Sequence, residues 1–175
     1  FTDFNVFSGI PGVSLRYVTR ACDLGTPDMV ILPGTKNTIH DLLWMRQNGL
    51  EAAILKLADR QVPVWGICGG YQMMGEVLMD EKGVESDLPS RTSGMGLLPL
   101  KTEFEKEKIR TQVEGAFGQL DGCLGGLSGK SIEGYEIHMG RTYIDREEGA
   151  ADTARIVSWR REPEICRPMD YVMET

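Results

Sequence analysis

The segment VPVWGICGGYQMMG, Val62–Gly75, constrains this chain more than any other. An apolar run with Pro63 at its entry leads into Gly66-Ile67-Cys68-Gly69-Gly70, and helix-forming residues follow at once. This is the strand–turn–helix context of a nucleophile elbow, in which a reactive side chain sits at the tip of a sharp turn. Glycines on both sides fit such a turn, because strand and helix must approach closely there. A thiol at the start of a helix has its thiolate stabilised by unpaired N–H groups and by the helix dipole. The N–H of the residue after the nucleophile, here Gly69, commonly supplies half of an oxyanion hole. The other half is expected from Pro33-Gly34-Thr35, which ends the apolar run Met29–Leu32. Both loops would then lie at the carboxyl ends of parallel strands, where open α/β sheets place their ligands. The plainer alternative makes Cys68 a small buried hydrophobe in a tight turn.

The rest of the composition removes competing classes. The chain has 175 residues, 19 basic and 26 acidic, for a net charge of −7, and reads as a single domain over 1–175. No basic stripe is present, so a nucleic-acid partner is not expected. The densest charged piece, Glu103–Arg110, alternates in sign and reads as a solvated connection. No stretch of roughly 18 apolar residues predicts a membrane span, and no basic-then-apolar leader predicts export. Cys22, Cys68, Cys123 and Cys166 are widely spaced, with no Cys-x-x-Cys pair. Neither a disulfide framework nor a metal site is therefore expected, and reduced thiols in a cytoplasm are the simpler reading. Cys22, Cys123 and Cys166 show no activating context and are read as structural. The opening Phe1-Thr2-Asp3, without an initiator methionine, suggests a piece of something longer.

The pattern of elements is strand, strand, paired helices, strand, helix, and then a second half rich in strands. Val13–Val18 alternates as a half-buried strand does, and Met29–Leu32 reads as a buried parallel strand. Asn37 or Thr38 is the predicted cap of a helix whose apolar face is Ile39, Leu42, Leu43 and Met45, and which Gly49 ends. Leu50–Arg60 continues as a second helix. Asp80–Ser93 is polar and reads as a loop. Leu97–Phe104, Ile109–Val113, Gly134–Met139 and Arg155–Trp159 read as strands. The sum is an α/β domain with a parallel central sheet and an antiparallel addition.

Four strings carry a family resemblance: FTDF (Phe1–Phe4), ILPGTKNT (Ile31–Thr38), GICGGYQMMG (Gly66–Gly75) and GYEIHMGRT (Gly134–Thr142). Together, in this order, they closely resemble the C-terminal class I glutamine amidotransferase domain of cobyric acid synthases, over residues 1 to about 145. The resemblance implies a flavodoxin-like fold with a mainly parallel central sheet, helices on both faces and added antiparallel strands. It implies that Cys68 attacks the side-chain amide of L-glutamine, releasing ammonia through a thioester that water then opens. Gly34 and Gly69 would form the oxyanion hole. Gln72 matches a substrate-contacting position; its local alternative is a helix-surface amide. The ammonia would pass to a synthetase domain or subunit carrying the corrinoid acceptor, adenosylcobyrinic acid a,c-diamide, for cobalamin biosynthesis. ATP and Mg are expected only in that synthetase domain, and no cofactor in this one; the Gly-x4-Gly-Lys-Ser/Thr phosphate loop is absent.

Such a cysteine needs a base, normally a histidine. The chain offers His40, which reads as a structural residue on a helix, and His138, the better candidate by context. The family usually keeps its catalytic histidine in a later His-Gly-x-Phe string, and related amidotransferases use His-Pro-x-Glu; neither string occurs here. His138 therefore stands under two readings, as the base or as a residue lining the site. The tail Arg160–Pro168 is polar and proline-broken, unlike the strand that presents that base, so a fragment or a diverged carboxyl end is expected. Two other functions remain open at this point: a silent amidotransferase-like docking module, and an amidotransferase for another acceptor such as a cell-wall lipid precursor.

Overall fold

Short apolar runs, one stopped by Pro33-Gly34 and one running into Gly66, make the first two strands of this chain. The computed structural model describes residues 2–85, 89–119, 122–144, 155–157, 159–160 and 170–172. Strand β1 (Val30–Leu32) pairs in parallel with β2 (Val64–Gly66), Val30 opposite Val64 and Leu32 opposite Gly66. Helices α1 (Thr38–Gln47) and α2 (Leu50–Ala58) form the crossover between them. Helix α3 (Gly69–Met73) follows β2 directly.

A second, mixed sheet follows. Strand β3 (Val77–Asp80) runs parallel to β5 (Leu100–Ala116) and antiparallel to β4 (Ser90–Ser93). The long strand β6 (Ser131–Ile144) pairs antiparallel with β5, and β8 (Trp159–Arg160) does so over a short stretch. Strands β7 (Arg155–Val157) and β9 (Asp170–Val172) form a separate antiparallel pair. The alternation of strand and helix, with antiparallel strands added, is that of an α/β fold.

The core lies where α1, α2 and α3 meet β3 and β5. Ile39, Leu42 and Met45 of α1 join Leu50, Ile54 and Leu57 of α2, Met73, Met74, Leu78, Leu100 and Phe104 in one buried cluster. Each such side chain stabilises the fold by about 1.5–3 kcal/mol through removal from water. Leu43, assigned to the apolar face of α1 from its spacing, is 38% exposed instead.

Three other expectations are corrected. Val13–Val18 forms no strand. Val13 and Tyr17 are exposed, and Arg16 ties this segment down by donating to the carbonyls of Asp23 and Leu24 at 3.2 Å. Only Val18 packs against the core, so alternation here lacked a neighbouring strand to pair with. Glu103–Arg110 is not a connection but the middle of β5, with Phe104 fully buried and a register shift between Glu103 and Lys108. Lys106 and Glu107 are exposed there, on a bulged strand rather than a loop. Asp80–Ser93 ends in β4, whose polar sequence suits its position at the end of the sheet order.

Candidate active site

Cys68 is the N-cap of α3, with φ 52° and ψ −114°. Among the described residues only Gln61 and Cys68 combine a side chain with a positive φ. Such a conformation costs about 1–3 kcal/mol and persists only where the surroundings impose it. Here the imposing contacts are backbone. Ile67 N–H donates to Leu32 O at 3.0 Å, Gly70 N–H to Ile67 O at 2.9 Å, and Gln72 N–H to Cys68 O at 3.0 Å. A Cβ on Gly66 would sit 2.5 Å from Tyr71 Cα, and one on Gly70 would overlap the carbonyl oxygen of Leu32. The two glycines let strand and helix close on each other and leave Cys68 at the tip. Its side chain is exposed, which removes the reading of a small buried hydrophobe.

The loop after β1 lies against this tip. A Cβ on Gly34 would be 3.5 Å from Cys68 Cβ, and one on Gly69 would be 2.5 Å from Thr35 Cγ2. Among the described residues, nothing accepts a hydrogen bond from the N–H of Gly34 or of Gly69. Thr35 is fixed in turn, its hydroxyl bonding to the Asp41 carboxylate and accepting from Asn37 N–H at 3.2 Å. Donor N–H groups flanking a thiol are what an oxyanion site requires.

The opposite wall comes from β6. The thiol of Cys68 is directed at Ile137 O, 3.7 Å away, and Gln72 Nε2 donates to Met139 O at 3.1 Å. Gln72 is only 5% exposed, so it is no helix-surface amide. Its Oε1 lies 3.5 Å from the hydroxyl of Thr38. His138 stands between these two carbonyls in sequence, and its Nδ1 is 3.0 Å from Gly140 O. A carbonyl only accepts, so Nδ1 carries the proton in that bond and Nε2 is the basic nitrogen of the neutral ring. Gly140 has φ 85°, and a Cβ there would be 2.6 Å from Glu103 O, which seats this part of β6 tightly on β5.

His40 is exposed on α1, with Nδ1 3.3 Å from its neighbour Asp41, as the structural reading expects. It borders an open pocket of about 450 Å³, shared with Ile39, Leu43, Val84 and Glu85. Cys22 is exposed, while the side chain of Cys123, and Cys166 altogether, lie outside the described residues, as does most of the Arg160–Pro168 tail.

Sequence reasoning missed the acidic pair Asp80 and Glu85. Asp80, fully buried at the end of β3, accepts the N–H groups of Val84 at 2.6 Å and Glu85 at 2.9 Å. The turn so formed aims the Glu85 carboxylate at the start of α1. There it accepts the N–H of Thr38 and that of Ile39, the latter at 3.2 Å. Asn37, the N-cap, accepts from His40 N–H at 2.9 Å and donates to Glu85 O at 2.6 Å. The first-turn donors of α1 are thus shared between a local cap and a remote carboxylate. Burial raises the Glu85 carboxyl above its ordinary range; the bonds from Ile39 and Thr38 oppose that rise and the nearby Asp80 charge adds to it. The only sequence signal was an unexplained polar loop. Among the described residues, no group of three or more His, Cys, Asp or Glu is arranged to hold a metal ion, and no helix is long and apolar enough to cross a membrane.

Residues 1–163 match the model of the CobB/CobQ-like glutamine amidotransferase domain. The chain is 55% identical over 149 residues to a cobyric acid synthase of Ruminiclostridium cellulolyticum, covering 85% of this chain and 28% of that protein. It is 50% identical over 146 residues to the cobyric acid synthase of Yersinia enterocolitica, covering 82% and 28%. The chain thus spans little more than a quarter of these relatives' length. A crystal structure of a glutamine amidotransferase is similar with a TM-score of 0.56 and 15% identity, over 86% of this chain and 69% of that one. At that identity the likeness establishes a shared fold.

Proposed function

The chain belongs to the CobB/CobQ-like glutamine amidotransferase domain family, and from that premise we propose that it releases ammonia from glutamine through a thioester on Cys68. The observation that carries this is the elbow itself: an exposed thiol at φ 52°, at the start of a helix, next to Gly34 and Gly69, whose N–H groups no described residue engages. The thiolate attacks the side-chain amide carbon of glutamine. Negative charge develops on the amide oxygen, where the N–H groups of Gly34 and Gly69 stabilise it. The C–N bond breaks, the nitrogen leaves as ammonia after gaining a proton, and water then releases glutamate. Gln72 supports the substrate from the floor of the site. His138, with its proton on Nδ1, offers Nε2 for the proton transfers.

A second role for His138 has its own support. Its ring is held by its own strand, with Nδ1 3.0 Å from Gly140 O, and the thiol lies 3.7 Å from the backbone carbonyl of Ile137. Under that reading it lines the site and the proton passes elsewhere. Changing His138 to Asn separates the two: as base, its loss lowers kcat by 10²-fold or more, on the order of a general-base contribution, and removes the acidic limb of the pH profile. As a lining residue its loss acts chiefly on KM.

The relatives are named cobyric acid synthases, which supports delivery of the ammonia to a synthetase that amidates adenosylcobyrinic acid a,c-diamide in cobalamin biosynthesis. The test is covalent trapping with diazo-norleucine and mapping of the labelled cysteines. Labelling confined to Cys68 and competed by glutamine is the expected result. Labelling spread evenly over the cysteines, with no glutamine competition, would mean a silent docking module instead.

A further inference from the structure

We propose that Thr38 and Glu85 are positioning residues for the glutamine pocket: the Glu85 carboxylate sets the first turn of α1, and the Thr38 hydroxyl in that turn sets the Gln72 amide. This rests on Gln72 contacting glutamine, as proposed above.

A buried glutamine amide has nearly the same shape with its oxygen and nitrogen exchanged, so its partners alone decide which end faces the substrate. At one end the partner is Met139 O, which accepts from Nε2. At the other end the Thr38 hydroxyl lies 3.5 Å from Oε1, its single proton shared between that oxygen and Glu85 Oε1 at 3.4 Å. Thr38 is itself 2% exposed, and its Oγ1 lies 3.1 Å from where a Cβ on Gly69 would be. The start of α1 is therefore wedged between the residue after Cys68 and the amide of Gln72. What holds it there comes from 47 residues away. Both Thr38 N–H and Thr38 Oγ1 face the Glu85 carboxylate, the hydroxyl at 3.4 Å, and Asp80 fixes the turn that carries it. Without Glu85, Thr38 and Ile39 lose the acceptor for their N–H groups, and the first turn of α1 is released from its register against Gln72.

The experiment uses the full-length protein and three variants, Thr38→Val, Glu85→Ala and Glu85→Gln. Ammonia release gives kcat and KM for glutamine, and the rate of Cys68 alkylation by iodoacetamide reports the thiol without using the pocket. Thr38→Val keeps the volume and the backbone cap, so it isolates the hydroxyl. Thr38→Val and Glu85→Ala are each expected to raise KM about tenfold, the size of one lost hydrogen bond, with the alkylation rate within about twofold of the parent. Glu85→Gln, which still offers an acceptor, should recover most of the loss, and the double variant Thr38→Val/Glu85→Ala should be no worse than Glu85→Ala. If Thr38→Val leaves KM within about twofold of the parent, the inference is overturned, whatever Glu85→Ala does and even if Glu85→Ala does not fold. A parent protein that neither releases ammonia nor shows glutamine protection of Cys68 overturns the underlying reading, and this one with it.

Discussion

The two walls of the site are built on opposite principles. The elbow wall, from β1, β2 and α3, is made of close approaches that only glycine permits, to backbone at Gly66 and Gly70 and to the Thr35 side chain at Gly69. The β6 wall offers carbonyl oxygens, Ile137 O to the thiol and Met139 O to Gln72. Every residue type has a carbonyl, so at Ile137 and Met139 this wall depends on where the strand lies, and Gly140, where a Cβ would meet Glu103 O, helps to set that register. One wall is specified by residue identity, the other by register.

That contrast is open to direct attack. The largest effect should come from Cys68→Ser, which keeps the turn and weakens the nucleophile. Glutaminase activity should fall by on the order of 10³-fold or more, equivalent to about 4 kcal/mol of barrier, with far-UV CD unchanged. Next, Gly70→Ala drives a methyl into Leu32 O and should lower stability by about 3 kcal/mol or more in urea unfolding, the range of severe overpacking. Cys68→Gly relieves a strained φ and should raise stability by about 1–2 kcal/mol while abolishing activity. An unchanged midpoint would mean that the turn stores no strain.

The elbow was legible for this physical reason: strand, glycines and thiol are contiguous, and the chemistry dictates the residues. The Pro-Gly loop was legible for the same reason, and Asn37 was already recognisable as a possible cap. The β6 wall was legible only as a string around His138, not as a surface. The Asp80–Glu85 turn was not legible at all, because a carboxylate that caps a helix 47 residues away leaves no local spacing to read. Val13–Val18 and Glu103–Arg110 misled for a related reason. Alternation and charge describe which side of a segment meets water, but not whether a partner strand lies beside it.

The remaining tests probe the remote contacts. The Glu85 carboxyl is held above its ordinary value mainly by burial, so the folded chain keeps a proton that the unfolded chain has already released. Stability should therefore fall as pH rises from the ordinary carboxylate range through the raised value. Glu85→Gln should remove that slope, as measured by denaturant midpoints across a pH series, with Asp80 as the charged group beside it. The smallest effect is expected from Gly134→Ala on β6, where a Cβ meets nothing within 4 Å. It should change stability by no more than about 0.5 kcal/mol, and a larger loss would show that residue identity matters on this strand beyond Gly140.

The contacts that join the walls span 69 residues between Cys68 and Ile137 and 67 between Gln72 and Met139. Contacts so far apart in the chain carry a loop-closure cost and form late when a protein folds. The β1–β2–α3 segment closes within residues 30–73, so by this reasoning the strained turn and its thiol should form ahead of the β6 wall. Completion of the β5–β6 hairpin is then the step that turns a merely exposed cysteine into a selective one. An unfinished or partly unfolded chain would carry the same thiol with no preference for glutamine, which makes generic alkylation measured against glutamine protection a readout of how far the molecule has folded.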